Sequence, residues 1–129
     1  MRLEGTRGPD HFVARQTSRE VVGQEVPGAR SFVRYDLFDQ EGQRIGSMQE
    51  ETVDLFDDRL FGRWGVGFER PDKAGTVYAE GFVSNADGVS VVPVLAGTGY
   101  CAGVRGHMTL AFTIAGECDV TFDLQDSNE

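Results

Sequence analysis

The residue types that most often carry chemistry are sparse in this chain of 129 residues: two histidines, His11 and His107, and two cysteines, Cys101 and Cys118. Two isolated histidines do not supply the three or four ligands of a metal site, so no metal is expected. Cys101 and His107 would form a nucleophile pair only if a third group oriented the imidazole, and no neighbouring residue is suited to that. A structural cysteine and a strand-surface histidine are therefore expected. The carboxylates of "EE" (50–51) and "DLFDD" (54–58) fit a solvated acidic edge better than a calcium or glycosidase site. The chain contains no GxSxG, CxxC, HExxH or phosphate-cradling Walker sequence.

The more informative residues lie on alternating runs. In "RWGVGFE", Trp64, Val66 and Phe68 share one face and Gly65 and Gly67 the other. Trp64 could donate its indole N–H to a ligand carbonyl, or pack with a backbone partner. Tyr35 lies on the face of Val33 and Leu37, where its hydroxyl is either a donor to a ligand or part of the core. Tyr78, Glu80 and Phe82 share a face that alternation alone assigns neither inward nor outward. Glu80 is accordingly either a solvated strand residue or a buried acid of raised pKa. In "GHMTLAFTI", Met108, Leu110 and Phe112 point one way, and in "CDVTFDL" Phe122 does so with Cys118, Val120 and Leu124. Trp64, Tyr35 and Glu80 are thus the catalytic candidates. Val66, Phe68, Tyr78, Phe82, Met108, Leu110, Phe112 and Phe122 are the candidates to line a binding site.

The elements that must position these residues are strands. No helical stripe is present; short β-branched and aromatic runs recur between turn signals such as "QEGQ", "RPDKAGT", "NADG" and "AGE". The pattern predicts an all-β domain: a single up-and-down antiparallel β-barrel of about eight strands, with an apolar lumen. Eight strands enclose a space that side chains can fill or that can hold one small ligand. The barrel is expected over residues 19–125, after a flexible tail at 1–18 that holds at most a short strand at Phe12–Arg15, and before a tail at 126–129. Residues 20–26 read as a weak strand and "FDDRLFG" (56–62) as a loop. The run "AGTGYCAGVRG" (96–106) lacks the helix that an anion-binding loop requires. It reads as a barrel corner, turned by Gly97, Gly99, Gly103 and Gly106.

Composition narrows the partners. The formal charge is −9, from 21 acidic and 12 basic residues, which argues against nucleic acid and against an anionic membrane surface. No apolar leader opens the sequence and no apolar run reaches transmembrane length, so a cytoplasmic setting with free thiols is expected. A Cys101–Cys118 disulfide is the alternative, since the two lie on runs read as neighbouring strands.

The segments "YDLFDQEGQRIG", "VYAEGF" followed by "NADG", and "GTGYCAGVRG" resemble the allene oxide cyclase-like and dirigent-like β-barrels, and among them the bacterial cyclases of polyketide pathways. The resemblance covers about residues 20–124. It departs where the family commonly has an aromatic residue two places after "GTG": Cys101 stands there, and Tyr100 comes one place early. The resemblance implies a cofactor-free cyclase that closes a ring in a linear polyketide, by an intramolecular [4+2] cycloaddition or a related step. It also implies that Met108, Leu110 and Phe112 line the pocket, that the barrel can form a homodimer, and that the N-terminal segment can cover the barrel mouth. Two other functions fit the same sequence: a non-catalytic, lipocalin-like binder of an apolar small molecule, and an acid–base ring-closing isomerase in which Glu80 or His107 moves the proton.

Overall fold

The alternating runs pair into eight strands in chain order: β1 (Asp10–Val22), β2 (Arg30–Phe38), β3 (Arg44–Asp54), β4 (Arg59–Phe68), β5 (Gly75–Ser84), β6 (Val89–Gly99), β7 (Val104–Ile114) and β8 (Glu117–Asp126). Each is antiparallel to the next and β1 pairs with β8, so the sheet closes into a barrel; β1 runs on past β8, with Asp10–Arg15 paired to it and Ser18–Val22 paired to β2 alone. This is a computed structural model, and it describes residues 3, 9–23, 28–57, 59–84 and 88–126. Among the described residues, no helix is long and apolar enough to cross a membrane.

The two ends of the barrel differ. At one end lie the tight turns 39–43, 69–74 and 100–103. In the first, the Asp39 carboxylate accepts the backbone N–H groups of Glu41 and Gln43 and pairs with Arg70, while Gly42 takes the positive φ expected of it. Phe12, Phe68 and Phe122 meet inside this end, with ring centroids 5.5–6.0 Å apart. Leu37, Val66, Val77, Val92, Met108 and Leu110 add fully buried side chains along the lumen. This end is closed by packing. The other end carries the ends of β1, β3 and β5 at Val22, Asp54 and Ser84 and the turn at Ala115–Gly116, and it is open.

Several sequence expectations change. Residues 10–18 of the expected tail are part of the wall: the short strand at Phe12–Arg15 and the weak run from residue 20 belong to one strand, β1, with Phe12 and Ala14 in the core. Residues 24–26 of that run lie outside the described residues, as do 85–87 of "NADG" and 127–129. Residues 59–62 of "FDDRLFG" are the first residues of β4, paired with β3 and β5. Gly97 and Gly99 lie within β6, and the chain turns at 100–103. The glycines are nonetheless required there. A Cβ on Gly97 would sit 2.1 Å from the carbonyl oxygen of Cys101, and Gly106, at φ 146°, would place one 2.0 Å from that of Asp123. Both cysteines are free thiols and both are buried.

Candidate functional site

Pairing register sets which side chains meet in the open half. In an antiparallel sheet, directly opposed residues share a face. Glu50 on β3 is opposite Val33 on β2 and Trp64 on β4, and Tyr35 is opposite Met48. Three polar side chains therefore converge inside the barrel. Trp64 donates its indole N–H to Oε1 of Glu50 at 2.9 Å, and the Tyr35 hydroxyl lies 3.3 Å from Oε2. All three are nearly inaccessible, at 4%, 9% and 2% exposure for Tyr35, Glu50 and Trp64. The indole reaches its position because β4 has no side chain at residue 62. A Cβ on Gly62 would lie 2.2 Å from the Trp64 ring.

Burial disfavours the carboxylate form of Glu50 and raises its pKa; the Trp64 and Tyr35 hydrogen bonds and the Arg19 charge work in the opposite direction without cancelling it. Tyr35 is raised far above the ordinary phenol range, first by burial and then by the charge of Glu50. The same two causes push the Cys118 thiol up to about 12, and burial alone pushes Cys101 up to about 11.

Above this trio the barrel opens into a cavity of about 890 Å³. It is lined by apolar side chains, among them Val21, Leu60, Val83, Phe112 and Ile114, and by polar ones, among them Arg19, Ser31, Thr52, Asp54, Ser90 and Glu117. The lumen expected to be apolar throughout is thus divided into an apolar packed half and an amphipathic open half.

The structure brings Trp64 and Tyr35 together at the floor of the cavity, both engaged by Glu50. Phe112, half exposed, stands at its rim. Val66, Phe68, Met108, Leu110 and Phe122 point inward as alternation indicates, but they fill the closed half and do not line the open space. Tyr78, Glu80 and Phe82 point outward. Trp64 is opposite Ala79 and Gly65 is opposite Tyr78, which puts Val77 and Ala79 inside and the three candidates on the outer wall. There Glu80 pairs with Arg63, and Phe82 stacks edge-on against Phe61. His107 is on the outer wall as well, exposed and opposite Pro93 and Asp123, while Cys101 is buried at the closed end. The two therefore do not form a nucleophile pair. Among the described residues, no group of three or more His, Cys, Asp or Glu side chains is arranged to hold a metal.

The N-terminal segment, expected over the mouth, goes the other way where it is described. Leu3 is buried beside Phe12, Ile45 and Phe68 at the closed end, and its N–H is donated to Asp10.

Glu50 is the residue that sequence reading missed. The hairpin turn at 39–43 fixes the β2–β3 register, and that register puts Glu50 on the face of Val33 and Tyr35. A charged residue on that apolar face was the available signal.

The chain is thus a closed eight-stranded antiparallel barrel, packed at one end and open over a polar floor at the other. No protein-family model matches the chain, and no curated protein matches its sequence. Among solved structures, it is similar to pyocyanin demethylase, with a TM-score of 0.78 at 12% identity over 92% of this chain and 100% of that one. It is similar to the pterocarpan synthase dirigent protein GePTS1, with a TM-score of 0.73 at 15% identity over 96% and 92%. It is also similar to a nonspecific heme-binding cyclase that catalyses a [4+2] cycloaddition during neoabyssomicin biosynthesis, with a TM-score of 0.71 at 16% identity; the match covers 89% of this chain and 62% of that one. At such identities the likeness is one of fold, and one fold carries several reactions.

Proposed function

We propose that this protein is a cofactor-independent cyclase of a polyketide natural-product pathway, which folds a linear substrate in the open half of its barrel and closes a ring by [4+2] cycloaddition or a closely related step. The observation that carries this reading is the cavity of about 890 Å³ above Tyr35, Glu50 and Trp64. A pericyclic step needs no nucleophile. It needs a flexible chain held with its reacting ends in contact, and such preorganisation can remove several kcal/mol of barrier, up to about 7–11 in the best-oriented intramolecular cases. The apolar part of the lining supplies burial for the hydrocarbon, and the floor supplies polarity. A neutral Glu50 can donate its O–H to Tyr35, leaving the Tyr35 O–H to polarise a conjugated carbonyl above it. The likeness of fold to a cyclase that catalyses a [4+2] cycloaddition and to a pterocarpan synthase dirigent protein supports the class of reaction.

Glu50 also favours a second reading. A buried carboxyl of raised pKa at the floor of a cavity is suited to acid–base ring closure, with Glu50 in the role first considered for Glu80 or His107. The test is turnover of synthetic linear trienes that carry a tethered enone, followed by loss of diene absorbance. A rate proportional to protein concentration, lost on filling the cavity with Ser90→Trp, is the expected result. Saturable binding of these substrates with no acceleration would leave a lipocalin-like binder instead.

A further inference from the structure

Strand β1 does not alternate evenly. Phe12, Ala14 and Gln16 face the lumen, and strict alternation would continue inward with Ser18 and Glu20. The pairing with β2 instead slips by one residue between Gln16 and Ser18: Gln16 is opposite Tyr35, Ser18 opposite Arg34, and Arg19 opposite Val33. Thr17 is the extra residue, and its hydroxyl is held by the backbone carbonyl of Arg34 at 3.2 Å. A bulge of this kind re-aims the side chains that follow it. Here it turns Ser18 and Glu20 outward and Arg19 into the cavity, beside Val33 and above Glu50.

Among the described residues, no carboxylate lies within ion-pair distance of the Arg19 guanidinium, as is also true of the exposed Arg30, Arg34, Arg59 and Arg105; Arg19 differs from these in lining the cavity, within electrostatic reach of Glu50. Glu50 already accepts Trp64 and faces Tyr35, and its burial favours the neutral form. Asp54 and Glu117 also line the cavity, but neither is within ion-pair distance of Arg19 and Glu117 is held by Arg15, so the cation directed there by the bulge can take its counter-charge from a ligand. A planar guanidinium is suited to two oxygens of one anionic group.

We propose that Arg19 anchors the substrate by an anionic oxygen, a carboxylate or an acidic enol, at the upper wall of the cavity, so that an apolar chain extends from that head over the Tyr35–Glu50–Trp64 floor. This names the substrate class of the proposed cyclase and rests on the same cavity.

Trp64 is the sole tryptophan, so intrinsic tryptophan fluorescence reports on the cavity floor alone. The whole chain is titrated with decanoate and, separately, with decanamide, at neutral pH and low salt. Saturable change with decanoate at about tenfold lower concentration than with decanamide is the expected result. Arg19→Gln removes this preference by weakening decanoate alone, and Arg34→Gln on the outer wall keeps it. Equal binding of acid and amide, or a preference that survives Arg19→Gln, overturns the anchor while leaving the cavity reading intact. Binding of neither overturns both.

Discussion

Trp64 and Glu50 are directly opposed across β4 and β3, and the indole N–H of one is donated to the carboxyl of the other at 2.9 Å, at the level where the barrel passes from packed core to open cavity. Below this contact the lumen is filled; above it, it is accessible. The contact requires Gly62, whose missing side chain leaves room for the indole, so three residues on two strands form a unit.

That unit predicts a local response to Gly62→Ala. The added methyl would displace the indole ring and lengthen its bond to Glu50. Trp64 fluorescence should shift to the red as water reaches the ring, with only a modest fall in melting temperature, because the displaced group is a side chain rather than backbone. An unchanged emission spectrum would show that the ring does not lie over Gly62.

The raised pKa of Glu50 predicts how stability varies with pH. Between its unfolded value near 4.5 and its higher folded value, the native state holds more protons than the unfolded state. The contribution of Glu50 is therefore fully present below the unfolded pKa and is lost as pH rises through the folded one. Glu50→Gln, which keeps an acceptor for Trp64 and a donor for Tyr35, should match the parent below the unfolded pKa, exceed it increasingly as pH rises toward the folded pKa of Glu50, and hold a constant advantage above it. Thermal melts of both proteins across that range measure the difference.

The same group sets the expected pH dependence of turnover. If the neutral acid polarises the substrate through Tyr35, the rate falls as pH rises through the folded pKa of Glu50, and Glu50→Gln flattens the profile. A bell-shaped profile that Glu50→Gln abolishes would assign the acid–base ring closure instead.

Burial of the two thiols predicts their reactivity. With Cys101 pushed up to about 11 and Cys118 to about 12, neither is a thiolate near neutrality, and neither is accessible. A thiol-disulfide dye at pH 8 should label neither cysteine in the native protein and both after denaturation.

Backbone packing at the β6–β7 corner predicts a contrast among glycines. Gly106→Ala forces a Cβ against the Asp123 carbonyl at a φ that side chains rarely adopt, and should destabilise by about 3 kcal/mol. Gly88→Ala, with open space around the new methyl, should stay within about 0.5 kcal/mol of the parent. In the closed half, Phe122→Ala removes a ring shared by Phe12 and Phe68 and should destabilise by about 3–5 kcal/mol. Denaturant melts compare all three.

Much of the fold could be read from the chain itself. Turn residues such as Gly42 and the alternation of 64–68, 107–114 and 118–124 are local signals, because a pleated strand reverses its side chains at every step and a tight hairpin leaves little choice of partner. They were enough for an up-and-down barrel with Trp64 and Tyr35 inside. Three features were decided only by the closed sheet. Tyr78, Glu80 and Phe82 alternate with Val77, Ala79 and Gly81, and neither set is polar enough to name its face; the register with Gly65 and Trp64 settled it. The inward turn of Arg19 depends on a bulge whose extra residue, Thr17, is ordinary in type and is marked only by its pairing with β2. The division of the lumen into a packed and an open half depends on which residues reach the same height on different strands. Phe12, Phe68 and Phe122 are distant in sequence and meet in one layer, whereas the small side chains of Ser31, Thr52 and Ser90 line the open half and leave space. Strand identity is a property of a few neighbouring residues, but lumen filling is a sum of side-chain volumes over eight strands, and only their stagger in the folded barrel determines which volumes are added.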